Sequence, residues 1–302
     1  MSKKVMIIGT GNVGMSYAYA LINQRIGVDE LYLVDINKAS AQGNAIDLRD
    51  CLAFTPGSMK IRTGTYQDAK DMDIIVITAG LPQQPGETRL DLIDKNAAIF
   101  KPMVTEIMAS GFQGIFIVVT NPVDIMTYLT WKYSGLPRAQ VIGSGTVLDS
   151  ARLKYLIGHQ SKVDPRSVNA WIIGEHGDSE FLVSSQADIG LESLRDFLSP
   201  EELAAIEDKV RGVAYEIIQK KGATYYGIGV ALTRITSAII NNENAVLPVS
   251  NWDPFARIYY GYPAVLGRTG VTRRVALSLS APEQRKLERS ISIIKEALTS
   301  LK

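Results

Sequence analysis

A chain of 302 residues that is 46% hydrophobic and 21% charged can bury one large or two medium cores, which excludes a disordered or fibrous chain. Its 32 basic and 31 acidic side chains leave a formal charge of +1, so bulk electrostatics supply no attraction to nucleic acid or to an anionic membrane. The single cysteine, Cys51, can form neither an intramolecular disulfide nor a thiolate metal cluster; that usage suits a reducing compartment and sets the expectation of a cytoplasmic protein.

Lys3 and Lys4 precede the apolar run Val5-Met6-Ile7-Ile8, but Gly9 and Gly11 end it too early for a secretory signal, and it reads as a buried strand. Gly9-Thr10-Gly11-Asn12-Val13-Gly14 follows directly and opens a helix reaching roughly to Arg25, the context that a dinucleotide fingerprint requires. The first glycine permits the tight turn, the second lets a pyrophosphate approach the backbone, and the third lets helix and strand pack closely. A second run, 31–35, ends in Asp35, 21 residues beyond Gly14, where a carboxylate can accept from both adenine-ribose hydroxyls and would repel a 2′-phosphate. The cofactor expected is therefore NAD. Further runs follow at 59–63, 73–79, 114–120 and 140–143, most separated by helix-length segments. Ile74-Ile75-Val76-Ile77 and Ile115-Phe116-Ile117-Val118-Val119 are apolar without alternation, as in parallel strands covered on both faces. Six such strands predict an α/β fold with a Rossmann doubly wound parallel sheet in residues 1–143.

Beyond the fourth strand, Leu81 to Arg89 form a proline- and glycine-rich segment at the edge where open α/β sheets bind ligands; such a loop can act as a lid. From residue 144 the helices lengthen and strand candidates such as 167–173 become fewer, so residues 144–302 are expected to form an α+β substrate domain packed closely on the first. Asp149 and Arg152 share a helix face, which by itself describes a local ion pair. Of two histidines, His159 sits near a helix end in a bland setting, whereas His176 stands in the polar turn Gly174-Glu175-His176-Gly177-Asp178 with room beside its ring for a substrate. An imidazole there can give or take a proton in carbonyl–alcohol interconversion. Two histidines 17 apart and one distant cysteine make no recognisable metal site. Ser199-Pro200-Glu201-Glu202 is a capping box opening a helix to Lys221 that stops at Gly222, and Ser280 and Pro282 open the last helix, with Leu287, Ile291, Ile294 and Leu298 as its buried stripe.

GTGNVG from Gly9, TAGLPQQPGETRLDL from Thr78, TNPVD from Thr120, GSGTVLDSARL from Gly143, GEHGDSE from Gly174 and KGATYYGIG from Lys221 together resemble the NAD-dependent L-lactate and malate dehydrogenases, most closely the bacterial L-lactate branch. The resemblance covers essentially the whole chain. It implies His176 as acid–base, Asp149 as its orienting carboxylate, Arg152 as the bidentate clamp on a substrate carboxylate, and Arg89 as the lid group that polarises the keto oxygen. It implies Asn121 and Thr224 beside the substrate, and Tyr66, Thr78, Ala79, Gly80, Val119, Asn121 and Ser144 around the cofactor. Gln83 falls where the family carries glutamine in lactate enzymes and arginine in malate enzymes, and the physics agrees, since a second substrate carboxylate would need a cation in the closed site. Pyruvate and L-lactate follow as the expected pair, with a 2-hydroxyisocaproate-type enzyme, a malate dehydrogenase and a non-catalytic NAD-binding sensor as alternatives. Leu81-Pro82 leans toward the malate pattern, and Phe181-Leu182-Val183-Ser184-Ser185 departs from the usual stretch. Lys154 and Asn169 replace the arginine and histidine through which many bacterial members bind fructose 1,6-bisphosphate, so strong activation by it is not expected. The resemblance further implies a homotetramer or dimer with a cytoplasmic role in glycolysis and fermentation.

Overall fold

The computed structural model describes residues 2–55, 57–82 and 89–301, with the side chains at positions 89 and 90 outside the description. The apolar runs become six parallel strands: β1 (Lys4–Ile8), β2 (Glu30–Val34), β3 (Lys60–Thr63), β4 (Ile74–Ile77), β5 (Ile115–Val118) and β6 (Val141–Gly143). They lie side by side in the order β6-β5-β4-β1-β2-β3. The chain therefore winds from β1 to one edge, returns past β1, and continues to the other, which leaves a crevice at the carboxyl ends of β1 and β4. This is the expected α/β fold, a Rossmann-like doubly wound sheet followed by an α+β region.

The runs do not alternate because both faces of the sheet are covered. Met6, Ile8, Ile75, Ile77, Phe116 and Val118 enter one core, while Val5, Ile7, Ile74, Val76, Ile115 and Ile117 enter the other. Five helices connect the strands or follow them: α1 (Asn12–Gln24), α2 (Lys38–Asp50), α3 (Arg89–Ala109), α4 (Val123–Ser134) and α5 (Val147–Ser161). Helix Tyr226–Ile240 returns from the carboxyl-terminal half to lie on α1, where the Tyr17 and Thr236 hydroxyls bond at 2.6 Å. Gly229 allows that crossing, since a Cβ there would stand 2.7 Å from the Ser16 carbonyl carbon.

Two features differ from the sequence expectation. Among the described residues the main sheet has eight strands, because Ser250–Asp253 and Ile258–Gly261 add an antiparallel edge beyond β6, paired through Ser250 and Gly143. The candidate strand 167–173 is two strands in different sheets: Val168–Asn169 pairs with Asp188–Ile189, and Ile172–Ile173 pairs with Phe181–Leu182. The capping boxes hold as read. Ser199 starts helix Pro200–Lys221, which ends at Gly222 with φ 86°, and Ser280 starts helix Ala281–Thr299. In that last helix Leu287 and Ile294 are buried and Ile291 and Leu298 pack partly buried beside them. Among the described residues, no helix is long and apolar enough to cross a membrane.

Candidate active site

The glycine loop is shaped by what surrounds it. Gly9 turns with φ 101°, and a Cβ there would lie 2.6 Å from the Ala79 nitrogen, so the ends of β1 and β4 meet only because that residue has no side chain. A Cβ at Gly14 would collide with the Gly9 carbonyl oxygen. Thr78 reinforces the turn by donating its hydroxyl to Gly9 O at 2.7 Å. Gly11 differs, with nothing within 4 Å of where its Cβ would stand. Local packing does not require a glycine there, and the space beside it is open. That space faces the first turn of α1, which has no capping side chain and no acid, so its amide groups and dipole are available to an anion.

Asp35, at the end of β2, accepts from the Thr10 amide at 2.6 Å, the Thr10 hydroxyl at 2.9 Å and the Asn37 amide at 2.9 Å. Burial alone would raise its carboxyl, but these donors outweigh burial and hold it below the usual carboxylate range. Tyr66 is half-buried close enough that burial first, and then the Glu106 and Asp35 charges, raise its hydroxyl. Ile36 is 99% exposed immediately after the acid. The remaining expected cofactor positions follow along the same sheet edge: Ala79 and Gly80 after β4, Val119 bonded from its amide to Ile77 O at 3.0 Å, and Ser144 bonded from its amide to Val118 O at 2.8 Å. An uncapped helix end, an open glycine and an ionised acid fit the pyrophosphate and ribose of a dinucleotide.

The Asp149–Arg152–His176 cluster forms where α5 meets the strand Ile172–Ile173. Asp149 and Arg152 lie one helical turn apart on α5. Gly174, with φ 102°, turns the chain after the strand and exchanges two 2.9 Å backbone bonds with Gly261. This brings His176 Nδ1 to 2.7 Å from Asp149 Oδ2, while Arg152 Nη1 donates to Asp149 Oδ1 at 2.8 Å. One carboxylate thus orients both partners, and its side chain is only 2% exposed against 26% for His176. Burial raises Asp149, yet the charges and hydrogen bonds of His176 and Arg152 bring it below its ordinary value. Burial disfavours the imidazolium, yet Asp149 in particular holds His176 well above an ordinary histidine. With Nδ1 committed to Asp149, Nε2 is the nitrogen left for a substrate.

His176 is tied to the sheet by its backbone as well. Its amide donates to Asp124 Oδ2 at 2.8 Å, and the other oxygen of Asp124 accepts from Ser250 Oγ at 2.5 Å. Asp124 is buried, which pushes its carboxyl up to about 6 against the lowering effect of those donors. Asn96 on α3 acts similarly between loops: its Oδ1 accepts from the Leu81 amide at 2.8 Å and its Nδ2 donates to Asn121 O at 2.9 Å. Sequence reasoning passed over Asp124, Asn96, Ile36 and Glu180. The available signal was a polar residue on an otherwise apolar helix face for Asp124 and Asn96, and an apolar residue in a polar turn for Ile36.

The other expected positions are placed unevenly. Asn121 is exposed at the end of β5. Thr224 is half-buried in the connection 222–225 and makes no side-chain hydrogen bond among the described residues. Gln83 lies outside the described residues, as does the Arg89 side chain, whose backbone opens α3. His159 is exposed on α5, stacked against Tyr155 with ring centroids 6.3 Å apart, away from the cluster.

Residues 3–143 match the family described as lactate/malate dehydrogenase, NAD binding domain, and residues 146–302 match the lactate/malate dehydrogenase, alpha/beta C-terminal domain. The chain is 52% identical over 305 aligned positions to a protein of Bacillus cereus named L-lactate dehydrogenase 2, covering 98% of this chain and 97% of that protein. Among solved structures, it superposes on a lactate dehydrogenase enzyme from a Medee basin deep-sea metagenome library with TM-score 0.96 at 49% identity, covering 99% and 98% of the two chains. It superposes on a ligand-bound minor L-lactate dehydrogenase of Enterococcus mundtii with TM-score 0.97 at 45% identity, covering 100% and 99%.

Proposed function

The chain belongs to the lactate/malate dehydrogenase family, and from that premise we propose that it is an NAD-dependent L-lactate dehydrogenase interconverting pyruvate and L-lactate. The observation that carries the chemistry is the shared carboxylate: Asp149 holds His176 with one oxygen and Arg152 with the other. A proton donor and a carboxylate clamp are thereby fixed to one point on α5.

NAD is the cofactor; the α1 terminus and Asp35 would hold it, and when bound in its reduced form it would supply a hydride to the keto carbon. Arg152 keeps donors beyond the one given to Asp149 for the substrate carboxylate. His176, held in the imidazolium form, releases the Nε2 proton to the keto oxygen, while Nδ1 keeps its proton and donates it to Asp149, which fixes the ring orientation. In this reading Arg89 polarises the keto oxygen, Asn121 and Thr224 line the substrate, and Gln83 meets its methyl end. A dicarboxylate such as oxaloacetate would then bury a charge opposite a neutral amide, at a cost of several kcal/mol. Residues 144–302 supply the catalytic cluster.

Lys154 sits 4.9 Å over the Trp171 ring and Asn169 donates to Asp188 at 2.9 Å, so both side chains at the expected bisphosphate position already have partners. This supports an enzyme that works without that activator. Tyr19 on α1, with Tyr226 and Val230 on the helix packed against it, remains 51–70% exposed, an apolar surface that a second copy would cover in a homo-oligomer. A cytoplasmic setting agrees with the lone Cys51.

His176→Asn tests the assignment. It should lower kcat/KM for pyruvate by about 10²–10⁴-fold and leave NADH binding, read by fluorescence titration, within about threefold, because the glycine loop holds the cofactor. Parallel loss of NADH affinity and rate would contradict the division of roles.

A further inference from the structure

One acid beside the reacting histidine has no part in the mechanism above. Glu180 follows the turn that carries His176, its amide donating to Gly177 O at 3.2 Å. Its side chain is 4% exposed, and its Oε2 stands 3.7 Å from His176 Nδ1. That oxygen has no hydrogen-bond partner among the described residues. A carboxylate oxygen of Asp149, a ring nitrogen of His176 and a carboxylate oxygen of Glu180 all fall within 4.8 Å of one another. A buried carboxylate oxygen aimed at an imidazole and otherwise unsatisfied is costly unless the imidazole carries a charge for it to face.

Resting on the reading that His176 is the proton donor, we propose that Glu180 is a second carboxylate acting on His176, a positioning residue that stabilises the imidazolium from the Asp149 side and extends the proton-donating state of the site to higher pH. The charges around it set its strength. From α5 come Asp149 and Arg152. Asp124 on α4 holds the His176 amide. From helix Pro200–Lys221, Arg211 donates to the Glu180 carbonyl at 3.3 Å and pairs with Glu207 and Asp208. Lys286 of the last helix reaches Glu207 at 2.9 Å. Glu175 lies on the same turn as His176. Arg211 is thus engaged at the backbone carbonyl and by two acids of its own helix, which leaves His176, with Arg152 behind Asp149, as the positive charge acting on the Glu180 carboxylate.

The electrostatics follow from that placement. Burial and then the Asp149 charge push the Glu180 carboxyl up to about 8, with His176 and Arg152 pulling it back. With Asp149 and Arg152 both charged, His176 cationic and Glu180 anionic make a neutral group of four, and so do neutral His176 and protonated Glu180. When His176 gives its proton to substrate the four groups are left with one negative charge in excess, and uptake of one proton from water, at Glu180 or at His176, restores neutrality.

The chain has two histidines, so the apo protein labelled at histidine permits a direct titration by NMR, with exposed His159 as the internal reference. Glu180→Gln should lower the His176 midpoint by about one pH unit and leave His159 unmoved. The alkaline limb of kcat/KM for pyruvate reduction should fall by the same shift, with KM for NADH unchanged. Glu180→Asp, which keeps the charge, should restore most of the midpoint. An unmoved or raised His176 midpoint in Glu180→Gln would overturn the proposal. If Glu180→Gln does not fold, the wild-type curve decides: a second inflection at His176, absent at His159, is expected, and a single inflection would overturn it. A shifted midpoint in a protein that turns over no 2-oxo acid would instead overturn the proposed reaction and leave this coupling standing.

Discussion

Asp149 shows how much one residue can fix. A carboxylate has two oxygens, and here one is spent on orienting an imidazole and the other on orienting a guanidinium, both at hydrogen-bond distance in a buried setting. Its spacing from Arg152 was visible in the sequence and by itself described a local ion pair; the turn at Gly174, which brings His176 against it, adds the third partner. The glycines separate in the same way. Gly11→Ala meets open space and should cost the fold no more than about 1 kcal/mol, while weakening NADH binding by about tenfold or more because the new methyl occupies the approach to the α1 amides. Gly14→Ala meets the Gly9 carbonyl and should destabilise the fold by about 2 kcal/mol or more. Thermal melts and NADH titrations of the two variants check this. Equal effects on stability would show that Gly11, too, is required by packing.

At the level of elements, α1 is built for an anion: no acid in its first turn, no side chain on its cap, and an exposed Asn12 at its first position. Asn12→Asp should stabilise the free protein by about 0.3–1 kcal/mol through the helix dipole, and weaken NADH binding through repulsion of the pyrophosphate. That penalty should shrink as salt is added. NADH affinity unchanged by the substitution at low salt would place the pyrophosphate elsewhere. Buried parallel strands such as Ile74–Ile77 were legible because covering both faces forces an unbroken apolar run. The strands Val168–Asn169 and Ile172–Ile173 were not, because two-residue strands in separate sheets leave no period to detect, and Ala170 and Trp171 between them keep the stretch looking continuous. Asp124 and Asn96 stayed hidden for a related reason: their partners are a His176 amide and two loop carbonyl or amide groups, contacts that no spacing along the chain announces.

The molecule as a whole is organised around the carboxyl edge of one sheet. Asp35 and the glycine loop stand at β2 and β1, residues 78–80 at β4, Asn121 at β5 and Ser144 at β6, and α5 then carries Asp149 beside that row. The doubly wound order could be read from six apolar runs and the glycine loop. The antiparallel edge Ser250–Asp253 and Ile258–Gly261 could not, because Asn251 and Asp253 interrupt any apolar run and place their polar groups in local bonds to Val249, Tyr262 and Tyr260. What the row of sites is for is tested most directly by kcat/KM for NADH oxidation with pyruvate, oxaloacetate, 2-oxoisocaproate and phenylpyruvate, each with and without fructose 1,6-bisphosphate. A neutral amide at Gln83 predicts pyruvate preferred over oxaloacetate by about a hundredfold or more, above the branched and aromatic acids, and nearly the same rate with and without the bisphosphate. Preference for oxaloacetate or for a bulkier oxo acid, or no turnover of any, would contradict the assignment of the chain as an L-lactate dehydrogenase.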